Sequence, residues 1–193
     1  MKLNKSKRNN LLILLVLILM VVPETRLPIQ VFINKGLALI SPSTISKNNQ
    51  RKLKSYNWTL KDYNGHILDF ETLKDKVVLV NFWATWCPPC IAEMPSMQSL
   101  YNDYGDKIAF VFISNESVEI LDKFLNKNNY SFKVYSSLTS PPNQFNVSSI
   151  PRTFLIAKDG SIVIDKSGAS NWNSNTVRET IDGLLNKKSV LVN

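Results

Sequence analysis

Apolar residues follow two patterns over most of the chain, beginning near Tyr56. Continuous apolar runs rich in β-branched residues are typical of strands buried on both faces of a sheet. Apolar residues spaced three or four positions apart instead indicate helices. The two patterns predict strands at 56–60, 66–70, 77–83, 108–113, 132–135, 153–156 and 161–165, and helices at 88–104, 117–126 and 175–186. Strands that alternate with helices, with a hairpin late in the chain, predict the α/β class with a mixed central sheet and helices on both faces.

The helical spacing also predicts which residues of each helix face the core. We expect the following residues to be buried: Ile91, Met94, Met97 and Leu100 in the first helix, Val118, Ile120, Leu121 and Phe124 in the second, and Val177, Ile181, Leu184 and Leu185 in the third. A turn at 62–65 joins the first two strands, and we expect His66 to be exposed on this outer hairpin. Residues 141–145 are expected to form a loop or a single turn.

The N-terminal region has a different pattern, in which basic residues precede an uninterrupted apolar run from Leu11 to Val22. This order is typical of an export signal, and the cations orient the run with its N-terminus in the cytoplasm. The run is short for a membrane span, which needs roughly 20 residues, but the stretch from Leu27 to Ile33 is again mostly apolar. No A-x-A-like cleavage site follows closely. We therefore predict a basic cytoplasmic tail at 1–10, an uncleaved membrane anchor at 11–33, an irregular linker at 34–55 and a globular domain at 56–193. A cleaved signal peptide with a secreted domain stays open as one alternative. A buried helix of the globular domain is the other, and it fits less well because the run lacks a polar face.

Composition narrows the class of protein. The 193 residues are 44% hydrophobic, which suits one domain with a full core and argues against disorder. The net charge is +8, but the basic residues cluster densely only at the N-terminus and lack interleaved aromatic residues. We therefore expect no nucleic-acid binding. Separately, we expect the protein to be a monomer. With two cysteines, a framework of several disulfides is excluded.

The two cysteines, Cys87 and Cys90, lie between a predicted buried strand and a predicted helix. A disulfide across so short a loop restrains little unfolded chain, so the pair is reactive rather than structural. The first cysteine sits at the helix N-terminus, where free N–H groups and the helix dipole stabilise a thiolate. Cys87 is therefore the expected attacking thiol, and Cys90, more buried, resolves the mixed disulfide.

Two other uses of a C-x-x-C pair fit the sequence poorly. A structural zinc site needs four ligands, whereas this chain has two cysteines and one histidine, His66. The peroxidatic signature P-x-x-x-T-x-x-C is not met, because Val80 and Ala84 occupy its Pro and Thr positions. We expect no metal and no cofactor other than the redox-active disulfide itself.

The residues between the cysteines, Pro88 and Pro89, tune the pair. Proline is tolerated in the first helical turn because its missing N–H would be unpaired there. Two prolines also remove two donors that would have served the Cys87 thiolate. We therefore expect only a modestly lowered pKa for the Cys87 thiol, and a pair that is reducing rather than strongly oxidising.

The segment from Asn81 to Pro95, NFWATWCPPCIAEMP, resembles the active-site segment of the TlpA/ResA-like family of membrane-anchored thiol-disulfide oxidoreductases. The similar region extends from about Tyr56 to Lys187. The resemblance implies a thioredoxin-like fold with an N-terminal β-hairpin and a central αβ insertion between Ser117 and Tyr135. It also places the catalytic domain on the periplasmic side of the cytoplasmic membrane.

The resemblance also implies a substrate-binding surface around the cysteines. Pro151 corresponds to the cis-proline that faces the disulfide and presents the backbone of Ile150 to an extended substrate segment. Trp86 is expected to shape the contact surface. Gly168 either leaves room for the substrate or is an ordinary turn residue. Arg152 departs from the threonine often found at its position.

Two further positions concern protons. Thioredoxins proper carry a buried Asp on the strand before the active site, and Asn81 stands here instead. An amide cannot be a general base. Glu93 lies one turn after Cys90 and resembles the acidic residue of the ResA-type subgroup, which implies that it manages the Cys90 proton. The alternative is a solvated helix Glu.

These features predict an extracytoplasmic oxidoreductase whose Cys87/Cys90 dithiol reduces protein disulfides and is recycled by a membrane electron donor. The resemblance suggests targets such as apocytochrome c thiols. A net thiol oxidase stays open because it carries the same motif. A Sco-like copper-delivery module fits less well, since it needs C-x-x-x-C spacing and a suitably placed histidine. A non-catalytic interaction module is a further alternative, and its function would not depend on Cys87.

Overall fold

The computed structural model describes residues 4–145 and 147–186. Its α-helices are α1 (Lys5–Val21), α2 (Pro23–Leu37), α3 (Pro88–Tyr104), α4 (Val118–Asn128) and α5 (Asn175–Asn186). Its strands are β1 (Thr59–Asp62), β2 (Ile67–Asp69), β3 (Val78–Phe82), β4 (Ala109–Ile113), β5 (Val134–Ser137), β6 (Arg152–Ile156) and β7 (Ile162–Ser167). Residues 1–3 of the predicted basic tail and 187–193 of the predicted domain lie outside the described residues.

The described strands form one mixed sheet in the order β2-β1-β5-β4-β3-β6-β7. β4 pairs in parallel with β3 and β5, and the other neighbouring strands pair antiparallel. Because β3, β4 and β5 are adjacent in chain order, right-handed crossovers place α3 and α4 on the same face. The α/β class, the mixed sheet, the N-terminal hairpin and the central αβ insertion are confirmed.

The sheet separates two large cores, and among the described residues only the first contains side chains from α-helices. The first core takes buried side chains from α3, α4 and α5, whereas the second lies beneath Trp58, Phe145 and the 3₁₀-helix Phe70–Leu73. Among the described residues, no α-helix contributes to this second core. The predicted helix layer on that face is thus replaced by loops, since residues 141–145, which begin with two prolines, form only a turn.

The inward face of α4 differs from the prediction. Val118 is 45% exposed and Ile120 is 49% exposed, whereas Leu121 and Leu125 are buried. Val118 lies in the first turn of α4, so sharing a face with Leu121 does not bring it over the sheet. In α3 and α5 the predicted inward residues are buried or partly buried. His66 is exposed on the outer hairpin, as predicted.

The predicted anchor at 11–33 is divided between two helices. Val22 has extended backbone angles (φ −70°, ψ 120°) between α1 and α2, because a residue that precedes proline disfavours the helical region. α2 then packs along α3. Within residues 4–145 and 147–186, no helix combines the length and the apolar character that crossing a membrane requires.

The predicted irregular linker, 34–55, is not a free tether. Its first residues belong to α2, and its later residues bind along the outer edge of β7. Ile45 N–H donates to the Val163 carbonyl over 2.8 Å, and Leu53 N–H donates to the Gly160 carbonyl over 2.9 Å. The polar composition of this segment does not predict the pairing, because a sheet edge forms hydrogen bonds with the backbone of any chain that lies along it.

We predict that Trp58→Ala destabilises the domain by about 3–5 kcal/mol, because it empties the centre of the second core. Urea unfolding followed by circular dichroism measures the change in the free energy of unfolding. Ile67→Ala, at a side chain that is 59% exposed on the same hairpin, is the control and should change stability by no more than about 0.5 kcal/mol. Equal losses in the two variants would contradict the assignment of this core.

Candidate active site

The two cysteines lie where β3 gives way to α3. All residues of β3 are buried, and α3 begins at Pro88, so Cys87 is the N-cap of the helix. Pro88 and Pro89 fill the first two helical positions, where a missing N–H costs nothing. The Cys90 N–H points at Cys87 Sγ over 3.4 Å. The local sequence therefore puts the first cysteine at the positive end of the helix dipole.

Cys87 and Cys90 form a disulfide, with an S–S distance of 2.27 Å and Cα atoms 5.2 Å apart. Both side chains are almost fully buried, and Cys90 is the deeper of the two. Cys87 Sγ lies 3.7 Å from the carbonyl oxygen of Ile150. The sulfur predicted to react first therefore lies beside the loop predicted to bind substrate.

The Ile150–Pro151 peptide bond is cis, as the resemblance implies. The Pro151 carbonyl accepts a hydrogen bond from Gly168 N–H over 2.9 Å, which ties this loop to the end of β7. Gly168 has a φ of +79°, a conformation that favours glycine, and no atom lies within 4 Å of the Cβ that a larger residue would carry. The positive φ is thus enough to explain why glycine stands at position 168, and the space that a side chain would enter is open.

Glu93 is fully buried, which rules out the alternative of a solvated helix glutamate. Its Oε1 accepts a hydrogen bond from Asn81 Nδ2 over 3.0 Å. Its Oε2 accepts from Trp172 Nε1 over 2.9 Å and from Ser170 N–H over 3.2 Å. The carboxyl group therefore joins α3 to β3 and to the loop before α5.

Burial raises the pKa of the Glu93 carboxyl from 4.5 to about 8, because the interior disfavours the charged form. The hydrogen bonds from Trp172, Asn81 and Ser170, together with the charge of Lys166, oppose this and lower the pKa. A carboxyl with such a pKa takes up or releases a proton near neutral pH.

Asn81 is a buried donor that links two strands. Its Nδ2 donates to Thr153 Oγ1 over 2.7 Å as well as to Glu93, and Asn81 and Thr153 are register partners on β3 and β6. Asn81 therefore orients the carboxyl rather than exchanging protons with it. Sequence reasoning missed Ser170 and Trp172 as partners of Glu93, and Thr153 as a partner of Asn81, because no local pattern marks them.

The two tryptophans before Cys87 have different environments. Trp86 is 65% exposed, although it adjoins a buried disulfide, so it presents a large apolar surface beside the site. Trp83 is buried and packs on Phe124 and Phe132. Sequence reasoning also missed Glu116, which lies between β4 and α4. Its carboxylate accepts hydrogen bonds from Thr85, which lies between the two tryptophans.

The described part of the chain brings no three His, Cys, Asp or Glu side chains together in a way that would hold a metal ion. His66 instead contacts Asp62, with Nδ1 and Oδ2 3.0 Å apart on the outer hairpin. The arrangement around the cysteines suits thiol-disulfide exchange, since it combines a disulfide at a helix N-terminus, a buried carboxyl group on the same helix and an exposed tryptophan.

Comparisons with known proteins agree with this chemistry. The model of the AhpC/TSA family matches residues 52–164, more than half of the chain. The thiol-disulfide oxidoreductase ResA of Bacillus cereus is 33% identical over 134 residues, which cover 68% of this chain and 74% of that protein. The thioredoxin-like protein YneN of Bacillus subtilis is 34% identical over 110 residues, 55% of this chain and 65% of YneN.

A solved structure shares the fold. A DsbF homologue from Corynebacterium diphtheriae superposes with a TM-score of 0.57 at 20% sequence identity, covering 75% of this chain and 93% of that one. A disulfide at a helix N-terminus, facing a cis-proline loop on a mixed sheet, defines the class of thioredoxin-fold thiol-disulfide oxidoreductases. The chain belongs to the AhpC/TSA family and, within it, to the ResA-like thiol-disulfide oxidoreductases. The resemblance found from the active-site segment is confirmed.

We predict that Glu93 makes the stability of the protein fall as pH rises. Its folded pKa of about 8 exceeds the unfolded value of 4.5, so the folded state binds more protons between these values. The free energy of unfolding should therefore decrease between pH 5 and pH 8, by on the order of 3 kcal/mol from this group. Glu93→Gln should lose this slope, as measured by urea unfolding of the oxidised protein.

Glu179→Gln is the matched control, since Glu179 is exposed on α5 and the substitution replaces the same carboxyl with the same amide. This variant should keep the wild-type slope. The prediction is wrong if Glu93→Gln and Glu179→Gln show the same dependence on pH.

Proposed function

We propose that the protein is an extracytoplasmic reductase of protein disulfides that works through the Cys87/Cys90 dithiol. One observation carries the direction of the reaction. Pro88 and Pro89 occupy the first two positions of α3, and among the described residues the backbone N–H that reaches Cys87 Sγ is that of Cys90. A thiolate with few donors is weakly stabilised, so the dithiol gives up its electrons readily.

The reaction consists of two exchanges. The Cys87 thiolate attacks a substrate disulfide, forms a mixed disulfide and releases one substrate thiolate, which takes up a proton. Cys90 then loses its proton and attacks Cys87 Sγ, which releases the second substrate thiol and leaves the enzyme disulfide. Two electrons pass from the enzyme dithiol to the substrate. Cys87 and Cys90 are the catalytic residues of this scheme.

We assign the proton of Cys90 to Glu93. The two residues are three positions apart on α3, a spacing that puts side chains on the same face. With its pKa raised to about 8, Glu93 accepts a proton as Cys90 becomes a nucleophile and returns it when the dithiol is restored. Asn81 holds the carboxyl in place through its 3.0 Å hydrogen bond.

The substrate segment is proposed to bind between three loops. Ile150 and Pro151 offer backbone groups beside Cys87, and an extended segment pairs with them as with a sheet edge. Trp86, largely exposed, contacts apolar substrate side chains. Gly168 leaves the third side open. Arg152 lies partly buried in an ion pair with Asp165, at 2.6 Å, and it shares this carboxylate with Arg51.

The N-terminal segment is proposed to attach the domain to the cytoplasmic membrane, with the catalytic domain outside. The apolar side chains from Leu11 to Leu14 are more than half exposed on α1 and follow a basic head. The dithiol is oxidised each time it reduces a substrate. Because the catalytic domain is proposed to lie outside the cytoplasm, a membrane electron donor must reduce it again. Disulfides such as those of apocytochrome c are the substrates that the family resemblance suggests.

We predict that the wild-type protein accelerates reduction of insulin by dithiothreitol and that Cys87→Ser abolishes the effect. Turbidity of the precipitating insulin B chain follows the reaction. The equilibrium of the disulfide with glutathione gives its potential, which should lie nearer about −270 mV than about −120 mV. A potential near the second value identifies a net oxidase and contradicts the proposed direction.

The proposed location predicts how Cys87 is labelled in cells. In spheroplasts treated with a membrane-impermeant phosphine, an impermeant maleimide should label Cys87 of the Cys90→Ser variant without lysis. The labelled protein should sediment with membranes. A variant that lacks both thiols is the control for background labelling. Labelling that requires lysis would place Cys87 in the cytoplasm and overturn the proposal.

A further inference from the structure

The four residues that end at the attacking cysteine form a turn. Cys87 N–H donates to the Ala84 carbonyl over 3.3 Å, which closes the turn with Thr85 and Trp86 at its corner. Ala84 and Cys87 are buried, whereas Trp86 is exposed. The conformation of this turn therefore sets both the direction of Trp86 and the position of Cys87 Sγ.

Backbone pairing does not hold the corner of this turn. β3 and β4 pair as far as Phe82 and Ile113, and one more bond follows, from Trp83 N–H to the Ile113 carbonyl over 3.0 Å. Among the described residues, no further backbone hydrogen bond joins the segments that follow the two strands. The Thr85 N–H, which would otherwise continue the ladder, donates to a side chain instead.

That side chain is Glu116, in the loop between β4 and α4. Its Oε2 accepts from Thr85 N–H over 2.7 Å, and its Oε1 accepts from Thr85 Oγ1 over 2.5 Å. Ser114 Oγ donates to the same carboxylate over 3.1 Å, and Ser114 N–H donates to the Tyr135 carbonyl on β5 over 3.0 Å. The carboxylate thus binds both donors of Thr85 and is itself anchored to the sheet.

We propose that Glu116 is a positioning residue for thiol-disulfide exchange, which acts by holding the Ala84–Cys87 turn through Thr85. Hydrogen bonds to a charged acceptor are stronger than those between neutral groups, so one carboxylate is enough to order the corner. Its effect is to keep Cys87 Sγ beside the Ile150 carbonyl, 3.7 Å away, where a bound peptide segment presents its disulfide. Glu116 does not touch the reacting sulfurs.

The proposal gives the elements around the αβ insertion a role in the exchange reaction. Glu116 and Ser114 lead from β4 into α4, the helix of that insertion, so the inserted elements anchor the active-site turn. Because positioning matters only when Cys87 must meet a disulfide held by the Ile150–Pro151 loop, a small free reagent should not sense its loss.

The test compares two reactions of the same thiol in four variants. Glu116→Gln removes the charge and one acceptor, and Thr85→Val removes the hydroxyl donor at nearly constant shape. Thr85→Ser keeps that donor and is the conservative rescue. Glu119→Gln is the charge control, since Glu119 is exposed in the first turn of α4. A peptide disulfide is the first substrate, followed in whichever direction the wild type runs, and iodoacetamide is the second.

We expect kcat/KM for the peptide disulfide to fall about tenfold in Glu116→Gln and Thr85→Val. Thr85→Ser and Glu119→Gln should match the wild type. The rate of alkylation by iodoacetamide, and the midpoint of its pH dependence, should stay unchanged in Thr85→Val. Order parameters of the 84–87 backbone amides should fall in the same two variants, while near-ultraviolet circular dichroism confirms the native fold.

Three results would overturn the proposal. Exchange at the wild-type rate in both Glu116→Gln and Thr85→Val would leave Glu116 with a structural role only. A shifted alkylation midpoint in Glu116→Gln alone, with normal exchange in Thr85→Val, would mean that Glu116 acts through its charge. Equal losses in Glu119→Gln would remove the specificity for the Thr85 contact. Because the comparison concerns the rate of exchange, it stands even where the wild type proves to be a net oxidase.

Discussion

A buried carboxyl group joins the parts of this molecule that carry its chemistry. Glu93 projects from α3 and accepts hydrogen bonds from Asn81 on β3 and from Ser170 and Trp172 in the loop before α5. A buried polar group without a hydrogen-bond partner costs about 1–3 kcal/mol. The hydrogen bonds to the Glu93 carboxyl therefore favour the arrangement in which α3, β3 and the loop before α5 lie together. The disulfide begins the same helix, and its place above the sheet depends on that arrangement.

The surface around the disulfide consists of loops, and two of them form hydrogen bonds with residues that follow other strands of the sheet. The Thr85 corner is bound by Glu116 after β4, and the Pro151 carbonyl is bound by Gly168 after β7. Cys87 lies between them as the N-cap of α3. Loops that are tied down in this way can present an exposed tryptophan and a sulfur in a reproducible geometry, which thiol exchange with a bound chain requires.

The accuracy of the predicted elements follows the strength of their patterns. The helices at 88–104 and 175–186 have the predicted ends, since both contain well-spaced apolar residues and proline marks the start of the first. β5 begins two residues later than predicted, at Val134, because buried Phe132 belongs to the core without joining the ladder. The segment at 45–53 lies within the predicted irregular linker at 34–55, yet its backbone groups bind the β6–β7 hairpin, a pairing that side-chain composition does not reveal.

Local patterns in the sequence are enough to predict the α/β class, the redox pair and its place between a buried strand and a helix. These features depend on hydrophobic spacing and on residues close together in the chain, such as Cys87 and Cys90. Two other features depend on the assembled fold: Glu93 is buried with a pKa of about 8, and Glu116 binds Thr85. The Glu93 carboxyl meets Ser170 and Trp172 across 77 and 79 positions, and Glu116 meets Thr85 across 31. Contacts over such separations arise when the sheet and its loops assemble, so no local pattern encodes them.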